Sequence, residues 1–91
     1  MAKPPKYAVY FKPSADRQFS RLPEDVQRRL VGEIALLALD PRPAGAVKLK
    51  GAENLWRIRV GTYRIVYEIQ DRALVVLVLR VAHRKDVYRG T

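Results

Sequence analysis

Arg57, Arg59 and Arg64 flank a Gly61-Thr62 pair within Leu55-Trp56-Arg57-Ile58-Arg59-Val60-Gly61-Thr62-Tyr63-Arg64-Ile65-Val66-Tyr67. Apolar and polar residues alternate on both sides of the pair, the period of a half-buried strand. Gly-X is the two-residue connector preferred by type II′ hairpins. With that loop, Val60 pairs with Tyr63, Arg59 lies opposite Arg64, and Arg57 lies opposite Val66. Trp56, Ile58, Ile65 and Tyr67 then share one face and Arg57, Arg59 and Arg64 the other. Like charges directly across a strand pair are destabilising. A bound polyanion is the simplest reason to tolerate them. The inference depends on register, because a one-residue slip exchanges the two faces.

A second basic cluster closes the chain in Ala82-His83-Arg84-Lys85-Asp86-Val87-Tyr88-Arg89-Gly90. Arg84 and Lys85 suit a phosphate, and Tyr88 suits stacking on an unpaired base. Taken alone, His83 reads as a solvated or capping residue and Tyr88 as a packing lid. Trp56, Tyr63 and Tyr67 read as core. Asp16, Glu24, Asp25 and Glu33 fall on helices away from the basic face, which gives a paired-carboxylate mechanism little support. No Gly-rich phosphate loop, metal-ligand spacing or Ser-His-Asp arrangement occurs.

The elements that must position these residues fit one domain over 1–91, with 1–5 (Pro4-Pro5 included) expected to fray. Tyr7–Phe11 reads as a strand. Ser14 is the expected N-cap of a short helix through Ser20. Leu22-Pro23-Glu24-Asp25 opens a longer helix, with proline expected at its first position and two acids at the positive end of its dipole. Val26, Leu30, Ile34 and Leu37 recur at helical spacing until Asp40-Pro41-Arg42-Pro43 stops the helix. Strands are then expected at Val47–Lys50, carrying Lys48 and Lys50, at Leu55–Val60, at Tyr63–Ile69 and at Ala73–Val81. The last reads as a central strand buried on both faces, and His83–Arg89 as about one helical turn. The order β-α-α-β-β-β-β defines an α+β domain: an αα-hairpin on one face of a largely antiparallel sheet.

Composition narrows the chemistry. The chain has 91 residues, 18 Lys+Arg against 9 Asp+Glu, and a net charge of +9, with +6 of it in residues 46–91. The 48% apolar content suffices for a core. With no cysteine and one histidine, thiol chemistry, disulfides and Cys- or His-rich metal sites are excluded. The longest apolar run, Ala73–Leu79, is far short of a membrane span. Met1–Lys6 lacks the apolar segment of a signal peptide, so a cytoplasmic location is expected.

In order along the chain, Phe11-Lys12-Pro13-Ser14-Ala15, Leu22-Pro23, Lys48-Leu49-Lys50-Gly51, the arginine hairpin and Val81-Ala82-His83-Arg84-Lys85-Asp86-Val87-Tyr88 resemble the RelE/ParE superfamily of toxins. The resemblance spans Tyr7 to Tyr88. It implies a RelE-like endoribonuclease that cuts messenger RNA in the ribosomal A site without a metal or other cofactor. It also implies a cognate acidic, RelB-like antitoxin bound in a hetero-oligomer. By matching positions, Arg64, Arg84 and Tyr88 fall on the family's hairpin arginine, C-terminal arginine and C-terminal tyrosine. Arg57 and Arg59 replace two lysines. Arginine does not give up its proton as a tuned lysine can, so His83 and Tyr88 are the remaining candidates for proton transfer. Lys48, Lys50, Lys85 and Arg89 would add RNA contacts. The alternatives are a ParE-like inhibitor of DNA gyrase, a non-catalytic RNA-binding module, and a decayed toxin retained for its antitoxin.

Overall fold

The computed structural model describes residues 6–83. Arg84, Lys85, Tyr88 and Arg89, the expected C-terminal helical turn and the expected fraying at 1–5 lie outside the described residues. The elements run β1 (Ala8–Phe11), α1 (Pro13–Ser20), α2 (Glu24–Leu37), β2 (Val47–Lys48), β3 (Leu55–Val60), β4 (Tyr63–Gln70) and β5 (Val75–His83). They build a five-stranded sheet in the order β1-β5-β4-β3-β2. β1 pairs with β5 in parallel, and the remaining pairs are antiparallel.

Helix starts differ from expectation, by two positions in α1 and by one in α2. Pro13 opens α1 with Lys12 as its cap, so Ser14 is already helical and caps nothing. Pro23 is the cap of α2, and Glu24 its first residue. Both prolines have no N–H to lose at a helix start, and the adjacent acids face the positive end of the dipole. α2 ends at Leu37, ahead of the Asp-Pro stop, with the Ala38 N–H turning back to the carbonyls of Ala35 and Leu36. The Ala38 carbonyl in turn accepts from the N–H groups of Lys6 and Tyr7, tying the end of α2 to the approach of β1.

Both helices cover the same face, but they pack on the sheet: α1 over β5 and β1, α2 over β1 and β3. Between them and the sheet lie Ala15, Leu30, Ile34, Leu37, Ile58, Val60, Ile65, Tyr67, Ile69, Val76, Val78 and Val81. Trp56 and Tyr63 pack at the margin of this core, only partly buried. β2 is shorter than expected, and Lys50 stands in the turn that follows it. β5 also begins later than expected, because 71–74 form a turn in which Leu74 adopts φ 54°. Its burial alternates rather than being complete on both faces, since the helices protect only one side.

The hairpin register matches the reading of the residues: Val60 pairs with Tyr63, Arg59 with Arg64 and Arg57 with Val66. Gly61 carries φ 60° while Thr62 does not enter positive φ, as a type II′ turn requires. A Cβ at Gly61 would also sit 3.1 Å from the Arg29 guanidinium, which lies against the turn.

On the core side of β4, the fully buried Tyr67 donates its hydroxyl to the Pro41 carbonyl at 2.7 Å. Burial raises its pKa to about 12, with Arg42 opposing the rise and Asp40 assisting it. A phenol held neutral in the fold contributes stability in full below its ordinary pKa of ~10. That contribution is lost as pH rises through the folded value. Tyr67→Phe is expected to cost about 1–3 kcal/mol, because the buried carbonyl loses its donor. Urea unfolding at about pH 8 and about pH 11 should show the alkaline loss of stability in the parent and a smaller loss in the variant.

Candidate nucleic-acid interface

The face of the sheet away from the helices is where the cations converge. Register places Arg59, Arg64 and Ala82 in one row across β3, β4 and β5, and Arg57, Val66 and Arg80 in the next. Arg64 is therefore central, with Arg59 directly opposite and Arg57 and Arg80 on its two diagonals. Diagonal neighbours stand roughly 7–8 Å apart, within reach of long side chains. Arg59 is exposed, whereas Arg57, Arg64 and Arg80 are half-buried. A long aliphatic stem lying along a sheet accounts for such half-burial of an arginine.

Arg80 was not among the residues expected at the site, and a β-bulge explains why. Tyr67 pairs with Val78 but Val66 pairs with Arg80, so Leu79 is an extra residue in β5. Val76 and Val78 point into the core, and strict alternation would send residue 80 in after them. An unpaired guanidinium there would carry several kcal/mol of desolvation cost. The bulge sends Arg80 to the open face and returns Val81 to the core. Past Lys12, whose N–H donates to Val78 O, the Gln18 side chain of α1 takes the place of a neighbouring strand. Its Oε1 accepts from the Val81 N–H at 2.8 Å. A signal was present in the sequence: Arg80-Val81 reverses the parity of Val76 and Val78, as an inserted residue would.

The basic field ends one row further along. There Leu55, Glu68, Leu77 and Tyr10 align, and the Glu68 carboxylate accepts from the Gln70 amide at 2.9 Å. The other expected site residues separate. Lys48 pairs with Trp56, so it shares the pleat of Trp56 rather than that of the arginines. Lys50 is exposed in the following turn. His83 reaches the same end of the sheet as the Arg59–Arg64 pair but on the opposite pleat, opposite Tyr63 in register. The two rings meet edge to face with centroids 5.2 Å apart.

Asp71 and Arg42 mark the far end of the sheet, as a structural clamp. Arg42 Nη2 lies 2.8 Å from Asp71 Oδ2, the Tyr7 hydroxyl donates to Asp71 Oδ1 at 2.7 Å, and the Arg42 guanidinium stacks over Trp56 at 5.5 Å. The bond from Arg42, then that from Tyr7, holds the Asp71 carboxyl below its ordinary pKa. Residues 29 positions apart meet here only through folding. Among the described residues, no group of three or more His, Cys, Asp and Glu could hold a metal ion. No helix among them is long and apolar enough to cross a membrane.

Known proteins that share this helix-covered sheet and detectable sequence similarity with the chain are toxins of toxin–antitoxin pairs. Residues 9–88 match the family model described as the ParE toxin of the type II toxin–antitoxin system parDE. Toxin RelG of Mycobacterium tuberculosis is 35% identical over 85 residues, covering 91% of this chain and 97% of that protein. The toxin–antitoxin complex RelBE2 of Mycobacterium tuberculosis superposes with TM-score 0.78 at 30% identity, over 92% of this chain and 98% of the matched one. The archaeal RelE–RelB complex of Pyrococcus horikoshii does so with TM-score 0.77 at 26% identity, over 87% and 96%. The chain belongs to the RelE/ParE toxin superfamily.

The Arg59–Arg64 juxtaposition has a measurable cost. Arg59→Gln should raise the thermal stability of the isolated chain by ~0.2–1 kcal/mol at low salt. The gain should shrink at about 1 M salt, where the Debye length falls to ~3 Å. Thermal unfolding at the two salt concentrations checks both.

Proposed function

We propose that this chain is the toxin of a RelBE-type toxin–antitoxin pair, and that it cleaves messenger RNA in the ribosomal A site. One observation carries the reading: a sheet face that holds Arg57 and Arg59 beside Arg64 in spite of their mutual repulsion. A phosphodiester relieves that repulsion. In the reaction, a ribose 2′-oxygen attacks the adjacent phosphorus and the bond to the 5′-oxygen breaks. The products are a 2′,3′-cyclic phosphate and a free 5′-hydroxyl. A base takes the proton of the 2′-hydroxyl and an acid supplies one to the leaving 5′-oxygen. Charge gathers on the phosphoryl oxygens as the bonds exchange, and guanidinium groups aimed there lower the barrier. DNA is refused because it lacks the attacking hydroxyl.

Arg57, Arg59, Arg64 and Arg84 are assigned to charge stabilisation. Proton transfer falls to Tyr88 or His83, since arginine stays protonated at any relevant pH. The His83 ring, set against Tyr63, would have to swing around the end of the strand to reach the phosphate. The proposed partners are the ribosome, mRNA and a RelB-like antitoxin whose acidic segments meet this basic face. RelE–RelB complexes of the same fold support the last of these.

A ParE-like action on DNA gyrase is the second reading, favoured by the description of the family model that matches. Incubation with programmed ribosomes, and separately with gyrase and supercoiled DNA, discriminates between them. Arg64→Ala is expected to abolish cleavage of ribosome-bound mRNA while the fold persists, and an unaltered rate would refute the assignment. Tyr88→Phe loses only a hydroxyl, and His83→Gln only the titrating ring. The variant that loses the larger part of the cleavage rate identifies the proton-transfer group. Full activity in both would remove that role from each.

A further inference from the structure

Arg80 is absent from the functional assignment above, yet a bulge and a side-chain hydrogen bond from α1 fix the strand that carries it. The bulge at Leu79 rotates it out of the core, and Gln18 satisfies the Val81 N–H beyond the bulge. In its row, Val66 separates it from Arg57. Strands lie ~4.8 Å apart, so Arg57 and Arg80 sit about 10 Å from each other across Val66. Arg64 stands diagonal to both. The cations therefore form two lobes that share Arg64: Arg57 and Arg59 on β3, and Arg80 on β5. Between the lobes Val66 offers no charge, and beyond them Glu68 repels an anion.

We infer that Arg80 is a substrate-binding residue, holding the phosphate of a nucleotide adjacent to the scissile one. A single-stranded RNA backbone then crosses the sheet from β3 to β5 rather than running along one hairpin. This rests on the ribonuclease reading and extends it by giving the strand a direction over the fold.

The test is the salt dependence of binding to a short, single-stranded 2′-O-methyl RNA, which has no free 2′-hydroxyl and cannot be cut. Each phosphate neutralised on a single strand contributes about −0.7 to the slope of log K against log salt. Arg80→Gln should reduce the magnitude of the slope by about 0.7, Arg64→Gln by at least as much, and Arg80→Lys should restore most of the parent slope. Unfolding of each variant in urea checks that the sheet persists. A slope that falls in Arg64→Gln but stays at the parent value in Arg80→Gln overturns the role of Arg80 and leaves the ribonuclease reading standing. An Arg80→Lys slope as low as that of Arg80→Gln assigns the loss to altered packing and also overturns it. A parent protein whose RNA binding does not depend on salt, with no change in any variant, overturns both.

Discussion

Pairing of β3 with β4 across the Gly61-Thr62 turn is the constraint on which the rest of the molecule depends. Side chains alternate along a strand, so one choice of register settles two questions together. It sends Ile58, Val60, Ile65 and Tyr67 under the helices and leaves Arg57, Arg59 and Arg64 on the open face. Core and candidate site are opposite sides of the same pairing. A slip of one residue would bury three guanidinium groups and expose the apolar set, at a cost far above the net stability of a small domain. The hydrophobic face enforces the register that sets Arg59 against Arg64, and so holds the two together in spite of their repulsion.

The two ends of the sheet divide the work. At the Asp71 end, charges are paired: Arg42 and Tyr7 hold Asp71, and Arg42 covers Trp56. At the hairpin end, like charges are gathered together. Strands that are stiff and anchored by a buried core can hold guanidinium groups where a flexible loop would let them separate. Electrostatic stabilisation of a transition state depends on such preorganisation. The same concentration of cations favours fast, salt-sensitive association with an acidic partner.

The bulge in β5 shows how a local irregularity reconciles conflicting demands. The strand needs Val76, Val78 and Val81 in the core, and these positions do not share one parity. One extra residue resolves the conflict and also delivers Arg80 to the basic face. The orphaned backbone group at this point is satisfied from α1 by Gln18, which shows how a helix remote from the open face helps to shape it.

Much of this was legible in the residues. The Gly-X turn, the alternation around it and the helical spacing of Leu30, Ile34 and Leu37 are local signals, and a local code suffices where the side-chain period and the turn type agree. The α+β order, the hairpin register and the arginine face followed from them. What depended on distant partners did not. The parallel pairing of β1 with β5, the stop of β2 after two residues, the Arg42–Asp71 clamp and the separation of Lys48 and His83 from the arginines all required the assembled sheet. Arg80 belongs with these. Its parity was written in the sequence, but the face it occupies was decided by where β4 and the helices pack, because only burial on one side makes an inward arginine costly enough to force a bulge.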